Sequence, residues 1–211
     1  MVERAYEHLL AKLMSLEIAP GERIAIDTVA RRLGISQTPV REALSQLEAE
    51  KLVSKMTNVG YRASAQMSRK EVGDLYTLRQ LIEPYAAARA AEAMTDEAIA
   101  ILQDIDRDMS GVESGDAHAF SRFAEDDATL HRLIARGSGN RLIAEAIERL
   151  HAHLHIFRAL YRTNAPHEAA AEHRMIIDAL VAHDPVAAEH AVRVHLERSQ
   201  ERMDSVLAGD R

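Results

Sequence analysis

The chain has 211 residues, more than the ~150 of a typical domain, so it can hold one large domain or two modest ones. Hydrophobic residues at 47% and charged residues at 28% exclude a disordered chain, and the absence of cysteine excludes disulfides, thiolate metal sites and a cysteine nucleophile. The net charge of −7 is uneven: residues 1–65 carry nine Lys/Arg and eight Asp/Glu, residues 66–211 carry 17 and 25, and ten of the eleven histidines lie in the second part.

Ala5, Leu9, Leu10, Leu13 and Leu16 make an apolar stripe that predicts a helix over 4–16. Pro20-Gly21 makes a turn. Asp27 or Thr28 can cap a short helix through Leu33, and Gly34 stops it where a left-handed residue is usual. Ser36 or Thr38 caps the next helix, with Pro39 near its first turn and Ala43, Leu44 and Leu47 facing inward. After Lys51 the period changes to two. Residues 52–56 and 61–63 then read as short strands around the turn Thr57-Asn58-Val59-Gly60.

No strand pattern appears from residue 68 onward. Ser68-Arg69-Lys70-Glu71 is a capping box that opens a long helix to about Met94. Thr95-Asp96-Glu97 opens a second, ending near Gly111 to Gly115, and Asp116 a third, closed by Gly137-Ser138-Gly139. Asn140 caps a fourth, expected to run to about Arg162. A fifth covers about 167–183, and Asp184-Pro185 starts the sixth. Six helices with short turns predict an antiparallel bundle. The expected fold class is mainly α: a winged helix-turn-helix over 1–65 and an all-α antiparallel helical bundle over 66–211.

A helix, a turn through Gly34 and a second helix opening on small polar residues form a helix-turn-helix pattern. Short side chains at the second helix's start can meet phosphate, and a longer donor one turn in can reach base edges. Ser36, Gln37, Thr38 and Arg41 supply both, while Arg31 and Arg32 add charge in a stretch with no acid between Thr28 and Arg41. The hairpin serves as a wing, with Lys55, Asn58 and Arg62 near the DNA.

The runs Pro20-Gly21-Glu22-Arg23-Ile24, Val29-Ala30-Arg31-Arg32-Leu33-Gly34-Ile35-Ser36-Gln37-Thr38-Pro39-Val40-Arg41-Glu42-Ala43-Leu44 and Leu47-Glu48-Ala49-Glu50-Lys51-Leu52-Val53 resemble the DNA-binding domain of GntR-family transcription regulators over about residues 4–65. The resemblance implies that Ser36, Thr38 and Arg41 contact the operator and that Gly60 shapes the wing tip. Gln37 departs from the family's usual arginine. Arginine reads guanine whereas glutamine pairs better with adenine, so a different base is expected there.

In the second region, Asp127 and His131 stand at i and i+4 on one helical face. The Asp184-Pro185 reversal can bring His173 and His195 to one level. One carboxylate and three imidazoles suit Zn²⁺ or Ni²⁺, and Mn²⁺ less well. Such an Asp/His pair is more often a surface ion pair, and His151 with His155 is a competing pair on one face. Residues 68–207 further resemble the helical FCD effector domain of the FadR-type branch, through Leu78-Arg79-Gln80-Leu81-Ile82-Glu83, Asp127 with His131, Gly137-Ser138-Gly139-Asn140, Glu172-His173 with Ile176, and Ala191 through His195-Leu196. That resemblance implies Asp127, His131, His173 and His195 as ligands and leaves His151 and His155 as helix face or cavity lining.

Arg79 is the first candidate for holding the carboxylate of a small organic acid effector, its alternative being an ion pair with Glu83 at i+4. Arg158 and Tyr161 are further cavity candidates. The ion can hold the bundle together or coordinate the effector through an open position. No HExxH motif is present, so the expected protein is not an enzyme. The expected protein is a homodimeric repressor that reads a palindromic double-stranded operator. No run reaches the ~20 apolar residues of a membrane span, and the first six residues lack an apolar leader core, so a cytoplasmic location is expected.

Overall fold

The computed structural model describes residues 1–57, 60–109, 116–161 and 163–209. The first domain opens with α1 (Val2–Met14), which buries Ala5, Leu9, Leu10 and Leu13 as its periodicity dictates. It continues through β1 (Arg23–Ile24), α2 (Ile26–Leu33) and α3 (Gln37–Ala49) to β2 (Val53–Met56) and β3 (Gly60–Ala63). Gly34 ends α2 with φ 65° and ψ 36°, the left-handed stop its sequence position suggests.

Two local details differ from expectation. Helix α2 starts at Ile26, one residue before the expected caps, so Asp27 lies in its first turn, favourable for a negative charge, and pairs with Arg31 at 3.3 Å. The wing has three strands in the order β1-β3-β2, all antiparallel, with Ile24 opposite Tyr61 and Lys55 opposite Tyr61 from the other side. Strand β1 is two residues long, too short to show alternation, and exists because β3 offers it an edge.

The second region contains α4 (Arg69–Ala93), α5 (Asp96–Met109), α6 (Ala117–Gly137), α7 (Arg141–Leu150), α8 (Ala152–Ala159), α9 (Ala165–Val181) and α10 (Pro185–Gly209). Four of these starts carry the expected caps. Ser68 and Glu71 bond reciprocally, Asp116 accepts from the His118 N–H at 2.8 Å, Asn140 from Leu142 at 3.1 Å, and Asp184 from Val186 at 3.0 Å. Arg69–Asp204, Tyr76–Ser199 and Gln80–Arg193 pair in opposite order along α4 and α10, so these two 25-residue helices are antiparallel.

The expected fourth helix is broken. His151 adopts φ 47° and ψ 32°, and the chain turns there from α7 into α8. The two halves bury different faces. Ala144 and Ile147 of α7 pack with Ala135 in a small separate cluster, whereas Ala152, Leu154, Ile156 and Phe157 join the main core. A straight helix could not serve both, and packing outweighs the ~1–2 kcal/mol cost of one left-handed residue. The main core runs without interruption from Leu9 and Leu44 in the first domain to Phe123, Ile176 and Leu196 in the second. No helix among the described residues is long and apolar enough to cross a membrane.

Candidate metal centre and DNA-binding surface

On α3 the inward residues Val40, Ala43, Leu44 and Leu47 anchor the helix and leave Gln37, Thr38 and Arg41 exposed. Ser36 is its N-cap, and its hydroxyl makes no cap bond to the helix's own backbone. The Arg41 Nη2 donates to Gln37 Oε1 at 3.2 Å, so the two longest side chains of the surface point the same way. Arg31, Arg32 and Lys55 are exposed beside it, and Gly60 has φ 100°, a backbone that side chains other than glycine rarely adopt. Asn58 lies outside the described residues. Arg62 donates to the Gly21 carbonyl at 2.8 Å, tying the wing to the turn before β1.

In the bundle, α6 supplies Asp127 and His131, α9 supplies His173 and α10 supplies His195. All four are buried, with His173 at 0% exposure. One nitrogen from each of His131, His173 and His195 lies within 4.8 Å of the other two. Asp127 reaches this group through His173, whose Nε2 stands 3.1 Å from Asp127 Oδ1. Neither atom has a hydrogen bond, and the His131 Nε2 and His173 Nδ1 also lack partners. Buried polar atoms that converge without bonding each other are costly to a protein and natural to a cation site.

The arrangement also contains residues that the sequence reading left out. His153 from α8 sets its Nδ1 against Asp127 Oδ2 and forms a second, overlapping triad with Asp127 and His131. It sits two residues from both His151 and His155, roughly on the opposite helix face, so the spacing of that pair does not point to it. Glu83 accepts from His131 Nδ1 at 2.9 Å and Glu172 from His195 Nδ1 at 2.8 Å. Each carboxylate fixes one ring nitrogen as the donor and leaves the other as an inward lone pair, the second tier that orients imidazole ligands in metal sites.

The electrostatics follow from burial. Desolvation pulls His131 down to about 4 and His195 down to about 3, despite the carboxylates that face them, so both rings are neutral near pH 7. Burial pushes the Glu172 carboxyl up, but Arg202 at 2.8 Å and His195 outweigh it and bring it down to about 2. Burial likewise opposes ionisation of Asp127, and the His153 and His173 rings more than offset it, holding the group well below the usual carboxylate range.

Of the effector candidates, Arg79 is committed. Its guanidinium bonds Glu83 at 2.5 Å and 3.3 Å, so the i+4 ion pair is the role that forms. Tyr161 packs edge-on against Phe120 with ring centres 5.1 Å apart. Arg158 is the unusual one: it is 1% exposed and none of its three guanidinium nitrogens has a hydrogen-bond partner. Beside the ligands lies a cavity of about 10 Å³, lined by Asp127, His153 and His195, with room for about one water. His151, the turn between α7 and α8, lines a much larger cavity of about 430 Å³ between the two domains.

Comparison with known proteins places this geometry. Residues 1–62 match the model of bacterial regulatory proteins of the gntR family, and residues 74–198 match the FCD domain. The chain is 33% identical over 169 residues to the "Probable D-xylose utilization operon transcriptional repressor" of Paenarthrobacter nicotinovorans, covering 80% of this chain and 73% of that one. It is 25% identical to the HTH-type transcriptional repressor GlaR of Escherichia coli, over 97% and 96% of the two chains. Among solved structures, Escherichia coli McbR/YncC shares the fold with a TM-score of 0.71 at 22% identity over 97% of each chain. The metal-free FCD domain of TM0439 shares it with a TM-score of 0.55 at 21% identity, covering 69% of this chain and 99% of that one. These relatives are transcription regulators and not enzymes. The chain belongs to the GntR family of DNA-binding transcription regulators, in the branch whose second domain is a helical FCD domain.

Proposed function

We propose that this regulator is a cytoplasmic homodimeric repressor whose second domain, 66–211, binds one divalent transition ion through Asp127, His131, His173 and His195. The first domain, 1–65, would read a palindromic operator through Ser36, Gln37, Thr38 and Arg41, with Arg31, Arg32, Lys55, Asn58 and Gly60 toward the backbone. Both relatives above are named as transcriptional repressors. The observation that carries the metal reading is the convergence of three buried imidazoles, with the Asp127 Oδ1 3.1 Å from the His173 Nε2. The donor set of nitrogen and carboxylate oxygen favours Zn²⁺ or Ni²⁺ over Mn²⁺. Bound there, the ion would supply a fixed positive charge that the four side chains otherwise lack, and it would tie α6, α9 and α10 together.

The effector is a small organic acid, and Arg158 supports that reading, because a fully buried guanidinium without an internal anion is stabilised by one from outside. The experiment is the metal content of full-length protein purified without chelator. About one ion per chain is expected for the wild type, with strong loss in His131→Ala and none in His151→Ala. An ion-free wild type whose melting temperature Zn²⁺, Ni²⁺ and Mn²⁺ all fail to raise contradicts the assignment.

A further inference from the structure

Two of the imidazoles at the candidate metal centre are oriented by carboxylates: Glu83 on α4 holds His131 at 2.9 Å, and Glu172 on α9 holds His195 at 2.8 Å. Asp127 is held in the same fashion with the roles exchanged, a ring here gripping a carboxylate. His153 on α8 sets its Nδ1 against Asp127 Oδ2. The other oxygen, Oδ1, stands 3.1 Å from His173 Nε2.

His153 is 5% exposed, and its Nε2 has no hydrogen-bond partner among the described residues. One nitrogen of its ring also lies within 4.8 Å of ligand atoms of Asp127 and His131, so two roles compete: a fifth ligand or an outer support. The chemistry of the ring decides. An ionised carboxylate only accepts hydrogen bonds, so the contact with Asp127 places the hydrogen on Nδ1. The reverse tautomer would set a lone pair against the carboxylate and strand a buried N–H at Nε2. With Nδ1 committed, only Nε2 keeps a lone pair, and the two nitrogens of an imidazole point in nearly opposite directions. A ring that grips Asp127 through Nδ1 therefore turns its free lone pair away from an ion bound to that same carboxylate.

We propose that His153 is the positioning residue of Asp127: its Nδ1–H holds Oδ2, so that Oδ1 alone is presented to the ion. The inference rests on Asp127, His131, His173 and His195 being the ligands, and it adds what makes the carboxylate a one-oxygen donor. The turn at His151 makes the contact available. There the backbone takes φ 47°, and α8 starts at Ala152 on a new course that buries His153. Three ligands are thus each held by a partner from a different helix: α4, α8 or α9. A carboxylate limited to one oxygen fills one coordination position, which suits the four-ligand site of a small transition ion. It does not suit the six to eight oxygen ligands, often with bidentate carboxylates, of roughly Ca²⁺-sized ions.

The test uses full-length wild type, His153→Phe and His153→Asn. Zn²⁺ affinity is read by competition with a chromophoric chelator, and the ligand set by visible absorption of the Co²⁺-loaded proteins. His153→Phe keeps a ring against His131, whose centre lies 4.5 Å away, but has no hydrogen to give Asp127. It should bind Zn²⁺ ~10–100-fold more weakly, the usual cost of removing a group that orients a ligand. His153→Asn should recover most of that loss with a wild-type Co²⁺ spectrum, because its amide nitrogen can stand where Nδ1 does. Melts of the ion-free proteins separate loss of fold from loss of the ion. Equal affinity in wild type and His153→Phe overturns the proposal. So does a His153→Asn variant as weak as His153→Phe, and a changed Co²⁺ spectrum in it would make His153 a ligand instead. A wild type that binds no ion overturns the ligand set itself, and this inference with it.

Discussion

Two buried imidazoles contribute to the acid response of the protein. His131 and His195, held at about 4 and about 3 in the ion-free fold, titrate near 6.5 once the chain unfolds. Their folded values are depressed, so the unfolded chain takes up protons first and stability falls with pH. The loss begins as pH drops below about 6.5 and continues to about pH 3, where His195 titrates in the folded protein. Thermal melts of ion-free protein across that range should show a steady decline, and a flat profile contradicts the burial of neutral rings. Arg158 makes the opposite kind of statement. A cation buried without a partner destabilises the ligand-free protein, so Arg158→Met should raise its melting temperature while abolishing any stabilisation by added dicarboxylates. A large destabilisation on that substitution would instead give Arg158 a structural role.

At the scale of elements, α3 is proposed to carry the DNA contacts because Val40, Ala43, Leu44 and Leu47 are buried and leave Gln37, Thr38 and Arg41 exposed. Arg41→Ala should therefore cost ~1–3 kcal/mol in operator affinity and leave helical content unchanged. A gel shift with unaltered affinity contradicts the orientation of the helix. Local chemistry made most elements readable in advance: Gly34, the Ser68/Glu71 box and the Asp116, Asn140 and Asp184 caps are all short-range signals. The turn at His151 was not readable, because no glycine or proline marks it and only the separate burial of α7 and α8 requires it. For the same reason the candidate centre was legible in part. Spacing brought Asp127 and His131 together, whereas His153, Glu83 and Glu172 enter through helices that only the packing brings alongside. The committed state of Arg79 was present in the sequence as one of two options, and burial with Glu83 decided between them.

For the whole molecule, the continuous core and the partner-less face of α4 both bear on assembly. Leu78, Leu81 and Tyr85 stand on one side of α4 at 38%, 72% and 52% exposure, while Leu75 is buried within the chain. Such a row would form the seam of the proposed homodimer on a two-fold operator. Light scattering should give twice the chain mass for the wild type and one chain mass for Leu81→Asp; a monomeric wild type contradicts the dimer. The proposed metal ligands lie deeper than that row, on three helices of the same chain. Their most direct test is an anomalous difference map from crystals of the full-length protein soaked in Zn²⁺. The account predicts one peak per chain, within about 2.0–2.2 Å of nitrogens from His131, His173 and His195 and of an Asp127 oxygen. No peak there, or one peak at His151 and His155 instead, would contradict it.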